Sequence, residues 1–489
     1  MNTFTLNDIK VAGWLKEANY VAGNWVGADD GSTYDVEDPA TGTRVGTIPW
    51  VSGAETGRAI DAAQEAFLTW SMTTAAERAE KLQRMAQLVR DNLDILATML
   101  TLEQGKPLAE ARGEMKLGAD YIQWFAEEAR RINGEIIPSP WKDRQILVTR
   151  EPVGVVGAIS PWNFPFSMLS RKVAPALAAG CTIVIKPSEF TPYSGLLYAV
   201  LAERAGIPAG VVNVVTGDGA AVGGELTRNP LVRKITFTGS TRVGKLLYKQ
   251  SADSMKKLSM ELGGNAPTIV FDDADLDLAV ETAVAGKFRN SGQTCVCTNR
   301  FYVQDSIYEE FARRLTDRVK KLKVDNGLKE GAEQGPLINL AAVEKVESQV
   351  EDAKAKGGRV LLGGKRHELG ATFFEPTVIA DATPDMLIAR EETFGPVAAL
   401  FRFKDEHEAV EAANSTEFGL AAYFYTRDLA RTFRVSRAIQ SGMIGINAGV
   451  ITTAEAPFGG VKDSGLGREG SAHGIEEYLN LKYLSLAGL

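Results

Sequence analysis

Between residues 153 and 264, short β-branched, apolar runs alternate with segments of helical period. VGVVGAIS (153–160) reads as a strand, RKVAPALAAG (171–180) as a helix closed by Gly, TIVIKP (182–187) as a strand and SGLLYAVLAERAG (194–206) as a helix. GVVNVVTG (210–217), KITFTGS (234–240) and KKLSMELGG (256–264) extend the series. Such alternation predicts a parallel sheet with right-handed crossovers. Ligands of these sheets bind beyond the carboxyl ends of the strands, which singles out Asn163, Lys186, Gly239 with Ser240, and Glu261. A second α/β series begins near residue 266 with APTIVFDD, the helical DLDLAVETAVAGKFRN and NRFYVQD, and runs on through AAYFYTR and MIGINAG. Upstream, IDAAQEAFLTW (60–70) places Ile60, Ala63, Phe67 and Trp70 on one helical face. The stretch 131–152 reads as a projecting hairpin. The tail EEYLNLKYLSLAGL alternates in a way that needs a partner strand, in a second copy or in the same chain.

A chain of 489 residues exceeds one hydrophobic core, so two or three domains are expected. Apolar residues form 45% and charged residues 24% of it, ordinary for a soluble globular protein. The net charge of −8 and the lack of a basic run argue against nucleic acid or an anionic membrane surface as partner. The first residues lack a secretory apolar region, and no apolar run reaches the roughly 18 residues of a spanning helix. Only three cysteines are present, which suits a reducing compartment, so a cytoplasmic location is expected. The three histidines, His367, His407 and His473, lack metal-ligand spacing, and no metal is expected. Catalysis, if present, must then rest on Cys, Glu, Lys and Asn.

Two cysteines fall in GQTCVCTNR (292–300). Cys295 lies in a Gly- and Asn-containing loop of the exposed kind a nucleophile requires, although a lone cysteine is more often inert packing. Cys297 points to the opposite side if the segment is extended. FTGSTRVG (237–244) offers a glycine turn and helix N-terminus to an anion such as a pyrophosphate, or is a simple tight turn. Lys186 and Glu189 could serve a ribose or form a surface pair. Glu261 ends a strand, where a carboxylate could act as general base or merely face solvent. Asn163, set between the prolines of PWNFP, is a stiffened amide suited to an oxyanion hole, or a turn residue.

PWNFP, KPSE, FTGSTRVG, ELGGNAP, GQTCVC, EETFGP and PFGGVKDSGLGREG occur in this order across nearly the whole chain. Together they resemble the NAD(P)-dependent aldehyde dehydrogenase superfamily, and KFRNSGQTCVCTNR is most similar to its succinate-semialdehyde dehydrogenase branch. The resemblance implies an α/β fold with a Rossmann-like cofactor domain (1–130 and 152–263), a second α/β catalytic domain (264–463) and a small β oligomerisation element (131–151 and 464–489), in a homodimer or homotetramer. It implies Cys295 as nucleophile, Glu261 as general base, and Asn163 with the Cys295 N–H as oxyanion donors. Cofactor contacts fall to Trp162, Lys186, Ser188, Glu189, Gly219, Gly239, Ser240, Glu392 and Phe394. The implied chemistry passes through a thiohemiacetal and a thioester, and needs neither histidine nor metal. Glu261 can activate water, which disfavours release to coenzyme A. A non-catalytic nucleotide-binding relative would be expected to lose the nucleophile.

Arg171 and Arg289 match positions that hold a distal carboxylate in the semialdehyde branch, and an Arg fork suits that task. The branch's hydroxyl helper is replaced by VITT (450–453), which leaves Thr452 or Thr453 to substitute. Succinate semialdehyde is the expected substrate, with glutarate semialdehyde or another aldehyde as the alternative. A carboxylate at Glu189 would repel a ribose 2′-phosphate, which favours NAD over NADP. Some relatives are thought to join the two cysteine positions in a disulfide, making Cys297 a candidate redox partner of Cys295.

Overall fold

The computed structural model describes residues 4–488. Its largest sheet has eight strands in the order Gly465–Leu466, Lys257–Glu261, Val232–Thr238, Val155–Ile159, Thr182–Lys186, Val212–Val214, Asn19–Val21 and Asn24–Val26. The five central strands are parallel, and the outer pairings are antiparallel. Of the five parallel strands Val155–Ile159 comes first in the chain. The next two strands add on one side of it and the following two on the other. The order therefore reverses between Val155–Ile159 and Val232–Thr238, and a crevice opens beyond their carboxyl ends. Residues 160–163 and Gly239 with Ser240 leave the sheet at that crevice.

The strand Lys257–Glu261 ends there too, and the chain then crosses through residues 262–265 into a second sheet. That sheet has seven strands, and Ala266–Val270, Thr298–Gln304 and Val397–Phe403 lie in its parallel part. The amino ends of these strands follow residues 262–265, the cysteine loop and residues 392–394 respectively. The carboxyl edge of one sheet and the amino edge of the other thus supply the two sides of one site.

The helix Pro165–Ala179 joins the first two parallel strands. Pro165 at its start suits a position that needs no N–H donor. Gly180, at φ 95°, closes it in the left-handed conformation. All fifteen residues are buried, including Arg171 and Lys172. Two cations inside an apolar helix need partners. The helix expected over 60–70 spans Gly53–Trp70, burying Ile60, Ala63 and Trp70, whereas Phe67 is only partly covered.

The tail finds its partner strand within the same chain. Leu479–Ala487 pairs antiparallel with Arg144–Pro152 along its whole length, and Glu135–Ile137 completes a three-stranded sheet. Residues 465–478 lie elsewhere than in the grouping 464–489 expected from sequence. Gly465–Leu466 pairs with Met260 and Glu261 at the edge of the eight-stranded sheet. Gly465 has φ 131°, and any Cβ there would strike the Met260 carbonyl, so only glycine permits the approach. The helix Ser471–Glu476 packs on the helices Leu108–Glu128 and Pro165–Ala179. Among the described residues no helix is long and apolar enough to cross a membrane.

Candidate active site

The cysteine loop leaves the helix Leu276–Lys287 through three consecutive left-handed residues, Asn290 (φ 51°), Ser291 (φ 57°) and Gly292 (φ 75°). Left-handed backbone is costly for Ser and persists only when its surroundings enforce it. Here Asn290 N–H donates to Glu110 Oε2 at 2.7 Å, and Ser291 Oγ donates to the Gly335 carbonyl at 2.8 Å. The following residues form a turn closed by Cys297 N–H on the Thr294 carbonyl, 3.1 Å. The segment is therefore not extended, because the strand begins only at Thr298.

Cys295 is half-buried and lines two cavities at once. The first, about 280 Å³, is also lined by Trp162, Asn163, Gly239, Ser240, Glu392 and Phe394. The second, about 210 Å³, is also lined by Tyr121, Phe164, Arg171, Arg289, Thr452 and Phe458. One thiol thus stands between most of the predicted cofactor residues and three of the four predicted substrate residues. Burial pushes this thiol up to about 12, against the opposing pull of Arg171, so the resting sulfur is protonated.

Glu261 is buried, and among the described residues neither of its carboxylate oxygens has a hydrogen-bond partner. Burial first, and then the Glu469 charge, raise it well above the ordinary carboxylate range; Arg171, Lys172 and Arg468 pull the other way. Glu469 is also buried, but Lys172 and Arg171 hold it below its ordinary value. Lys172 Nζ pairs with Glu469 Oε1 and donates to Thr238 Oγ1 at 2.6 Å, while Arg171 Nε lies 3.1 Å from Glu469 Oε2. The ionisations of these two carboxyl groups are therefore pushed apart, Glu261 upward and Glu469 downward.

Asn163 is buried and donates from Nδ2 to the Gln293 carbonyl at 3.0 Å, leaving its second amide hydrogen available. Trp162 and Phe394 meet edge-on at 5.5 Å between centroids. Glu392 Oε1 accepts from Gly264 N–H at 3.2 Å, and burial raises its carboxyl to about 7. Lys186, Ser188, Glu189 and Gly219 fall outside both cavities, around the carboxyl ends of Thr182–Lys186 and Val212–Val214. Lys186 Nζ lies 3.2 Å from Glu189 Oε2, and a Cβ on Gly219 would come within 4.0 Å of that ammonium.

The two candidate threonines separate. Thr452 lines the second cavity with Cys295, whereas Thr453 turns to Glu455 and lines a different pocket with Met443. Arg171 reaches the cavity but is already engaged by Glu469 and stacks 4.1 Å from the Phe458 ring centroid. Cys297 lines neither cavity. Its buried thiol donates to the Gly292 carbonyl at 3.3 Å and lies 3.7 Å from Lys287 Nζ. Sequence reasoning passed over Glu469 and Lys172. Their one signal was charge placed where apolar residues were expected: RK in a buried helix, RE after a glycine turn.

A doubly wound sheet, a second parallel sheet facing it and a thiol shared by two cavities define a cysteine enzyme built beside a dinucleotide-type crevice. The chain matches the aldehyde dehydrogenase family over residues 25–484 and belongs to that family. It is 56% identical to a glutarate-semialdehyde dehydrogenase of Pseudomonas aeruginosa, over 98% of this chain and 100% of that protein. It is 57% identical to a 3-sulfolactaldehyde dehydrogenase of Pseudomonas putida, over 99% of each. It is 54% identical to the succinate-semialdehyde dehydrogenase [NADP(+)] GabD of Escherichia coli, over 98% and 99%.

Proposed function

We propose that the chain oxidises a short aldehyde bearing an anionic group at its far end, succinate semialdehyde foremost, to the corresponding acid. The observation that carries this reading is the sharing of Cys295 by two cavities, one of them lined by Arg171 and Arg289. The names of the three relatives all denote an aldehyde with a distal acid group, which supports the same chemistry. Glutarate semialdehyde is the second reading, favoured by the 56% identical relative.

In this reading Cys295 Sγ bonds to the aldehyde carbon, and Glu261 takes the thiol proton directly or through water. Burial makes Glu261 a stronger base than an exposed carboxylate, at the cost of being ionised only at higher pH. Asn163 Nδ2–H and the Cys295 N–H donate to the developing oxyanion; one such donor contributes roughly 10²–10³ in rate. Once the acyl group is on sulfur and Glu261 has given up the thiol proton to solvent, Glu261 takes a proton from the water that attacks the acyl carbon and returns it to the departing sulfur, so the acid leaves with Cys295 restored as a thiol. Arg289 and Thr452 hold the far end of the substrate, fixing the aldehyde at the sulfur.

The residues present fit a nicotinamide dinucleotide. Glu392, Phe394 and Trp162 offer a carboxylate and two rings for the nicotinamide riboside. Gly239 and Ser240 lead into the helix Thr241–Ser251, whose amino end suits a pyrophosphate. Lys186, Ser188, Glu189 and Gly219 suit the adenosine end. Bound there, the cofactor supplies the acceptor for the aldehyde hydride. NAD is favoured over NADP because a Glu189 carboxylate opposes a 2′-phosphate; the relative named for NADP(+) makes this the point to test. Glu189→Ser is expected to raise kcat/KM with NADP, and an unchanged or lower value contradicts the assignment.

The cofactor domain is assigned to 1–130 and 152–263, joined by residues 465–478, and the catalytic domain to 264–463. The hairpin and the strand Leu479–Ala487 serve a homodimer or homotetramer, and the enzyme works in the cytoplasm. A steady-state comparison of succinate semialdehyde, glutarate semialdehyde and a neutral aldehyde with each cofactor tests the substrate reading. Preference for the neutral aldehyde overturns it.

A further inference from the structure

A buried ion pair stands directly behind Asn163. Lys106 Nζ and Glu114 Oε2 are 2.6 Å apart, and both side chains are almost completely enclosed. Lys106 Nζ also donates to the Asn163 carbonyl at 2.7 Å and lies 3.9 Å from the Phe164 ring centroid. Glu114 Oε1 accepts from Phe166 N–H at 2.9 Å and Ser167 N–H at 3.1 Å. It thereby caps a helix whose own N-cap, Phe164, supplies no side-chain bond. The pair grips the chain on both sides of Phe164, where it turns from an irregular stretch into a helix.

The same pair is tied to the cysteine loop. Lys106 N–H donates to Gln104 Oε1, and Gln104 Nε2 donates to Asn290 Oδ1, both at 2.9 Å. Asn290 Nδ2 donates to the Asn163 carbonyl at 2.9 Å, while the Asn163 amide reaches Gln293, two residues before Cys295. Two groups that must address one oxygen atom are thus fixed within one hydrogen-bonded network. Burying an ion pair is an inefficient way to stabilise a fold, because desolvation offsets the attraction. What this pair supplies is geometry.

We propose that Lys106, braced by Glu114, is a positioning residue that sets the Asn163 amide against the Cys295 N–H; the proposal rests on the oxyanion reading of Asn163. The test is a double-mutant cycle read by stopped flow, as the burst rate constant per titrated thiol. Asn163→Ala is expected to slow the burst by about 10²–10³-fold. Lys106→Met is expected to slow it by about 10- to 100-fold through misplacement alone. The combined variant is expected to fall no more than about twofold below Asn163→Ala, because both changes remove one function. Lys106→Met leaves a buried carboxylate, so the cycle is repeated with Lys106→Met/Glu114→Gln, which leaves no unpaired charge. A merely structural role would lower the thiol titre and melting temperature, and its rate effect would multiply with that of Asn163→Ala. Multiplying effects, or an unchanged burst in both Lys106 backgrounds, overturn the positioning role alone. An unchanged burst in Asn163→Ala overturns the oxyanion reading itself.

Discussion

The two arginines of the second cavity are not equivalent. Arg171 is buried, lies 3.1 Å from Glu469 and faces Glu261, so much of its charge is used inside the protein. Arg289 is half-buried over Phe164; among the described residues its Nε, like Nε and Nη1 of Arg171, makes no hydrogen bond, but Arg289 has no carboxylate held against it as Glu469 is held against Arg171. Arg289 is therefore the better anchor for a distal carboxylate, and a charge-assisted bond is worth roughly 1.5–3 kcal/mol. Arg289→Met is expected to raise KM for succinate semialdehyde about 10- to 100-fold while leaving a neutral aldehyde little changed. Equal effects on both substrates in steady-state assays contradict that role. Both arginines were visible in the sequence, but the difference between them was not. Glu469 lies 297 positions from Lys172 and about as far from Arg171, and no local pattern reports a partner at such a separation.

At the scale of elements, several helices begin without a cap of their own and borrow one. The helix Pro192–Ala205 has no side-chain bond from its N-cap Thr191. Glu103, in the last turn of the much earlier helix Leu93–Gln104, accepts from Tyr193 N–H at 2.8 Å and Ser194 N–H at 2.9 Å. Burial raises this carboxyl from 4.5 to about 8 despite those bonds. A carboxyl with a higher value folded than unfolded favours the folded state most below its unfolded value. That advantage is lost as pH climbs through the window from 4.5 to about 8. Glu103→Gln removes the dependence, so its stability relative to the parent should rise by up to a few kcal/mol from pH 5 to pH 9. A difference that stays constant in denaturant titrations contradicts the assignment. The parallel strands were legible because β-branched runs alternate with helical periods. The two-residue strand Gly465–Leu466 was not, since its pairing depends on a glycine approach rather than on an apolar pattern.

For the whole molecule, the sequence indicated two α/β series and a hairpin with a tail, and the structure joins them through the short crossing at 262–265. What could not be read was which edges meet, because that depends on strand order. The cysteine loop belongs to the second sheet, yet its closest hydrogen-bonded neighbours include Asn163 and Glu110 from the first half of the chain. The three-stranded sheet leaves Ile136, Leu481 and Tyr483 largely exposed, a surface that suits a second copy of the chain. Leu481→Asp combined with Tyr483→Asp is expected to shift the assembly to a smaller species without a large fall in melting temperature. An unchanged mass by light scattering contradicts a role for this face in assembly.

In the proposed reaction the Cys295 sulfur carries the acyl group while Glu261 prepares its release. Glu261→Gln enzyme, mixed with cofactor and succinate semialdehyde and quenched in acid, can be digested and its peptides weighed. A succinyl group is expected on the peptide containing residues 289–300, assigned to Cys295 by fragmentation and absent in Cys295→Ala. An adduct on Cys297 instead, or no adduct either on this variant or on the parent enzyme acid-quenched during the burst, contradicts that role of the Cys295 sulfur.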